Sequence, residues 1–269
     1  MEKVIRGLSV KDSKNFSSDA GFCEISMLVK RGHEECGDSA FLYIDDKKAI
    51  IAIFDGVSGE SGAAAASSQA AEIILDSLKS LDKADDKSIA AALSSANDGI
   101  KFGYTTAAVL FVQKDGSFKI GSIGDSAIFS MRGAVVSLEI PLGRVVKDKD
   151  SILKFFHYRN LVTAVLGPSG MEINASLKSG KLKKNDILIL ASDALCDNLY
   201  VKTFEGYQTD SSGTDDLRSM IGKLRDPKKI VDKITSEIAS RIKIGKIQFP
   251  DRMLVPKEDD LSIVVLKFK

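Results

Sequence analysis

Residues 49–56 read Ala49-Ile50-Ile51-Ala52-Ile53-Phe54-Asp55-Gly56. Such an apolar run, rich in branched side chains, marks a strand buried on both faces. It stops on a carboxylate and a glycine. The arrangement returns along the chain. Asp125 follows Ile120-Gly121-Ser122-Ile123-Gly124, and Asp193 follows Ile187-Leu188-Ile189-Leu190-Ala191-Ser192. The pair Asp259-Asp260 stands directly before Leu261-Ser262-Ile263-Val264-Val265.

Other short apolar runs predict strands over residues 25–29, 40–44, 106–112, 118–123, 128–131, 161–166 and 262–268, beside those at 49–54 and 187–191. Turn signals such as Lys114-Asp115-Gly116 and Arg132-Gly133 separate many of them. The hairpin-sized gaps imply mostly antiparallel pairing. Two helices follow the third strand. One carries Ala63, Ser67, Ala70, Ile74, Leu78 and Leu81 at helical spacing, the other Ile89, Ala92, Leu93, Ala96 and Ile100. A third, from Pro227 to about Lys246, aligns Ile230, Val231, Ile234, Ile238 and Ile242. Strands in blocks and helices in pairs argue α+β, with two sheets face to face and helices outside, rather than a βαβ sheet. Residues 201–213 are polar and aperiodic and read as an exposed, mobile loop. No repeat or linker divides the sequence, so residues 1–269 read as one domain, with 1–20 an N-terminal extension or first strand.

Thirty-eight basic against thirty-seven acidic side chains give a net charge of +1, no electrostatic ground for nucleic acid or an anionic membrane as partner. No window approaches a membrane span, and the N-terminus lacks the apolar stretch of a secretory signal. Three cysteines without CxxC spacing argue against structural disulfides or zinc, and for a reducing cytoplasmic setting.

Asp is common where strands end, because it bonds its own backbone in turns. Several carboxylates gathered at one rim are another matter, since they repel unless cations neutralise them. Hard oxygen donors of this kind suit Mg²⁺ or Mn²⁺.

In this order the motifs resemble those of the type 2C metal-dependent Ser/Thr protein phosphatases. Phe54-Asp55-Gly56-Val57-Ser58-Gly59-Glu60 is similar to the family's DGxxG signature, and Tyr104-Thr105-Thr106-Ala107 to its threonine-alanine strand start. Ile123-Gly124-Asp125-Ser126 resembles the GDS turn. Ala191-Ser192-Asp193-Ala194-Leu195-Cys196-Asp197 resembles SDGxxD, with Ala194 for glycine. Asp259-Asp260-Leu261-Ser262 is similar to the terminal motif, and Gly37-Asp38-Ser39-Ala40 falls at the acidic NEDA-like segment.

The resemblance implies a central antiparallel β-sandwich flanked by helix pairs, a four-layer αββα arrangement with two Mn²⁺ or Mg²⁺ at one end. By it Asp55 bridges both metals, the Gly56 carbonyl holds one, and Asp193 and Asp259 complete the second site. Asp260 stands where the family has Asn, and Asp38 acts through metal-bound water. Asp125 and Asp197 match residues that hold a weaker third metal in several members. The implied reaction is hydrolysis of phosphoserine or phosphothreonine in a phosphoprotein by direct attack of metal-bound water. It requires no covalent intermediate, so neither Ser58 nor a cysteine is needed as nucleophile.

Several positions depart from the pattern. Val57 replaces a histidine proposed to protonate the leaving group, and Ala127 replaces an arginine. Gly37 replaces an acid. His33 stands where an arginine grips the phosphate, with Arg31 two residues earlier. His33 is a phosphate contact or a solvated loop residue, and His157 reads as a surface residue. Beside the phosphoprotein phosphatase stand two further readings: a pseudophosphatase scaffold and a hydrolase of small phosphoesters.

Overall fold

The structure, a computed structural model, describes residues 1–57, 62–147, 149–168 and 173–269, Leu8 by its backbone alone. The first half forms strands β1 (Glu2–Ile5), β2 (Ser13–Asp19), β3 (Cys23–Lys30), β4 (Ser39–Ile44) and β5 (Lys48–Phe54), then helices α1 (Ala63–Lys79) and α2 (Asp86–Gly99). Strands β6 (Ala107–Gln113), β7 (Ser117–Ile123), β8 (Ala127–Arg132) and β9 (Val135–Leu138) follow, then α3 (Ile152–Tyr158) and β10 (Ser176–Lys181). Next come β11 (Ile187–Ala191), α4 (Asp193–Asp197), β12 (Val201–Phe204), β13 (Tyr207–Asp210), α5 (Thr214–Ile221) and α6 (Pro227–Ile244). The chain closes with β14 (Ile247–Gln248), β15 (Arg252–Leu254) and β16 (Leu261–Phe268).

One six-stranded sheet has the order β1-β4-β5-β6-β7-β10, the other β2-β3-β16-β11-β8-β9. All their pairings are antiparallel. Alternation along each strand sorts side chains into separate cores. Ala49, Ile51 and Ile53 of β5 meet Leu188 and Leu190 of β11 between the sheets. Ile50, Ala52 and Phe54 point the other way, under Ile74 and Leu78 of α1 and Ile89 and Leu93 of α2. Across the sandwich, Ile187, Ile189, Ile263 and Val265 pack against Leu217 of α5 and Ile230, Ile234 and Ile238 of α6. The layers are αββα, and the central strands read apolar throughout because helices cover their outer faces.

The helix ends have local causes. Asp85 and Ser88 exchange hydrogen bonds as a capping box at α2. Asp226 caps α6, Pro227 sits in its first turn, and Gly245 ends it at φ 81°.

Two expectations fail here. Residues 161–166 form no strand. They make isolated bridges, Val162 to Arg144 and Leu166 to Thr105, and Leu161 is exposed. The polar β10, not this segment, pairs with β7 at the edge of the first sheet. Residues 201–213 are not an irregular loop. β12 and β13 form a hairpin, within a third sheet of order β13-β12-β15-β14. Its two-residue turn has positive φ at both Glu205 (50°) and Gly206 (82°), the backbone that matches strand twist in a type I′ hairpin.

Residues 1–20 contribute β1 and β2, paired to β4 and β3. No helix among the described residues is long and apolar enough to cross a membrane. His157 is exposed on α3, edge-on to Tyr158. Cys23, Cys36 and Cys196 are buried free thiols, and burial pushes that of Cys196 up to about 12. A thiol held protonated is a poor nucleophile.

Candidate active site at one end of the sandwich

Register brings the carboxylates together. In the first sheet Ser39 faces Phe54 and Ala107 faces Ile123, so Asp38, Asp55 and Asp125 emerge at one end. In the second, Ala191 faces both Ala127 and Ile263, and Lys30 faces Leu261. That sets Asp193, Asp259 and Asp260 at the same end, beside the 31–38 loop. Asp55, Asp125, Asp193 and Asp259 line one cavity of about 80 Å³, with Val57 and Lys257 in its wall.

The backbone at Asp55 is pinned. Its carbonyl accepts from Thr106 N (2.8 Å) and Thr105 Oγ1 (2.9 Å), while Asp193 N approaches Asp55 Oδ2 at 3.4 Å. Gly56 is required next. A Cβ there would lie 2.7 Å from the carbonyl oxygens of both Gly37 and Ala63. Gly56→Ala is expected to cost about 1–3 kcal/mol through overpacking, read by urea denaturation; unchanged stability would refute the close approach. Ser58, Gly59 and Glu60 lie outside the described residues.

Asp38 is enclosed, and among the described residues its Oδ2 has no hydrogen-bond partner. Burial, then the charge of Asp260, drives its pKa well above the usual carboxylate range. Asp55 is driven up likewise by burial, then by Asp193 and Asp38. These shifts express the cost of gathering anions in a poorly solvated place.

Two cations that the motifs did not signal enter the cluster. Lys257 Nζ lies 2.5 Å from Asp259 Oδ2 and 3.5 Å from Asp193 Oδ2. Burial alone would lower its pKa, but Asp193 and Asp259 outweigh it and raise it. Asn198 fixes its loop, donating to Lys257 O (2.8 Å) and accepting from Lys257 N (3.2 Å). Arg144 donates from Nε to Asp125 Oδ2 (3.1 Å) and from Nη2 to Asp197 Oδ1 (2.8 Å). Asp197 and Asp125 raise its pKa against the lowering by burial.

The remaining expected site residues divide. His33 Nε2 is 2.8 Å from Asp259 Oδ1, so this half-exposed ring reaches the cluster. Arg31 is exposed and donates to Glu34 O at 3.1 Å. Asp260 is engaged elsewhere: Oδ1 accepts from Gly32 N (2.6 Å) and His33 N (3.2 Å), and Oδ2 from Gly37 N (2.6 Å). Its carboxylate ties the 32–37 loop to the start of β16. Asp125 and Asp197 are engaged by Arg144. Among the described residues no three His, Cys, Asp or Glu side chains form a group able to hold one ion.

No family model and no curated protein matches this chain. Among solved structures, it resembles RsbX in complex with magnesium (17% identity, TM-score 0.64), over 95% of this chain and 100% of that one. It resembles the Mycobacterium tuberculosis serine/threonine phosphatase PstP (16%, TM-score 0.58) over 92% and 99% of the two chains. All of this chain also matches 64% of a Bacillus subtilis SpoIIE structure comprising a PP2C phosphatase domain and a regulatory fragment (19%, TM-score 0.61).

Proposed function

From the type 2C phosphatase fold that it shares with these structures, we propose that this chain is a divergent member of that family, a phosphoprotein phosphatase hydrolysing phosphoserine or phosphothreonine with two Mn²⁺ or Mg²⁺. The observation that carries the reading is the convergence of Asp55, Asp193 and Asp259, from three separate strand ends, on one cavity. The donor set fits hard divalent cations: it is all oxygen, and the buried Oδ2 of Asp38 lacks a partner among the described residues. Asp55, the Gly56 carbonyl, Asp193 and Asp259 would hold the pair, with Asp38 acting through water. When bound, the two ions would supply an activated water near neutral pH and offset charge on the phosphoryl oxygens.

The chain's own groups have tasks beside the ions. His33, bonded to Asp259 Oδ1, orients that carboxylate in the way that outer partners orient ligating groups. The Lys257 ammonium balances Asp193 and Asp259, and an entering cation must displace it. Val57 gives its stretch of cavity wall no proton donor. A leaving alkoxide then lacks general-acid help from this position, worth about 10²–10⁴ in rate. Aryl phosphates, whose leaving groups need no proton, are expected to turn over faster than a phosphoserine peptide by a factor of that order. Equal kcat/KM values on both would show that Val57 has no such consequence.

The reading is tested by p-nitrophenyl phosphate hydrolysis with Mn²⁺ and with excess EDTA. Hydrolysis is expected with Mn²⁺ and lost with EDTA. A folded protein without metal-dependent activity would leave the second reading, a binding scaffold. That reading is favoured by Lys257 and Arg144 already pairing the carboxylates.

A further inference from the structure

We propose that Arg144 is a built-in cation, standing between Asp125 and Asp197 in place of a third metal ion. The inference rests on the binuclear reading above and concerns a different pair of carboxylates.

The guanidinium is delivered by a constructed loop. Gly143 N donates to Gly124 O at 3.0 Å, and a Cβ on Gly143 would come within 2.5 Å of that oxygen. Only glycine lets the 142–145 loop lie against the turn that presents Asp125. Arg144 itself bridges to Val162, and Val145 N donates to Leu161 O at 2.8 Å. The non-strand segment 161–166 thus braces the loop. From there Arg144 reaches Asp125 with Nε and Asp197 with Nη2. The three side chains are nearly inaccessible, at 3%, 2% and 0% exposed. A second guanidinium adds to the hold, Arg159 Nη1 donating to Asp197 O at 3.0 Å.

This arrangement is unsuited to Mg²⁺ or Mn²⁺. Such ions need near-octahedral oxygen shells that keep several waters, and here a planar cation lies between two enclosed carboxylates, hydrogen-bonded to both. The guanidinium stays charged at any working pH and does not dissociate. Arg144 is therefore a positioning residue. It joins the Asp125 turn to α4, whose first residue is Asp193, and makes that link independent of metal concentration.

The test counts Mn²⁺ bound to the full chain, by equilibrium dialysis with elemental analysis up to millimolar Mn²⁺. Two ions per chain are expected for the wild type and for Asp125→Asn, since Asp125 serves the arginine. Arg144→Met is expected to gain a third, weaker ion. Three ions on the wild type, or a lower count in Asp125→Asn, would overturn the inference and leave the binuclear reading standing. So would a folded Arg144→Met that still binds two. Fewer than two on the wild type would remove the binuclear reading and this inference with it.

Discussion

Asp193→Asn is expected to lower Mn²⁺-dependent hydrolysis of p-nitrophenyl phosphate by at least about 10²-fold, the scale of losing one preorganised electrostatic contact. Asp193 opens α4 directly after β11, lines the cavity with Asp55 and Asp259, and lies 3.5 Å from the Lys257 ammonium. Asparagine keeps the shape and one oxygen but removes the charge. The cluster then holds one anion fewer, and its attraction for divalent ions falls. Folding is expected to survive: Asn preserves the backbone N–H directed at Asp55 Oδ2, and one repulsion in a crowded anionic site is relieved. The decisive comparison is kcat beside a thermal melt. A variant that melts like the wild type and keeps more than a tenth of its activity would remove Asp193 from the machinery.

Arg144→Met is expected to produce the largest loss of stability, about 3–5 kcal/mol, as when one partner of a buried ion pair is removed. Asp125 and Asp197 would remain enclosed, Asp125 without its guanidinium and Asp197 with Arg159 Nε at 3.5 Å. In a chain of this size each kcal/mol moves the melting point by about 2–4 °C. The pH dependence has a definite sign. Burial pushes Asp125 up to about 7 even against the pull of Arg144, and without that pull it rises further. Native protein then retains a proton that the unfolded chain releases above about pH 4. Stability of the variant should therefore fall as pH rises through that window, and its deficit against wild type should be smaller at pH 5 than at pH 8. Urea denaturation of the metal-free protein at both values reads this directly. A deficit below about 1 kcal/mol at pH 8 would place the pair among those of little energetic weight.

Part of this was legible in the residues. The run from Ile50 to Phe54 could only be a strand covered on both sides, and α1 and α2 supply one of those covers. The periodic helices fall within a few residues of their expected limits. Hydrophobic pattern is local, so it can be read locally. Asp55, Asp125, Asp193 and Asp259 stood out because each breaks an apolar run at its end, and the fold gathers them on one cavity. Apolar pattern misled at residues 161–166, which make isolated bridges to Arg144 and Thr105 instead of joining a sheet. Its absence hid the 201–210 hairpin, whose signal was a turn with two positive φ angles.

The sequence by itself determined the layers, the strand ends and the acidic character of the site. Tertiary structure alone decided which cation meets which anion. Arg144 lies 53 positions from Asp197 and Lys257 lies 64 from Asp193, with no spacing rule to join them. Strand register also brought Asp260 against the 32–37 loop, whose backbone N–H groups it accepts from. The physical reason is range: burial and backbone preference act on neighbours along the chain, while charge pairing is settled by whatever the completed topology brings within a few ångströms.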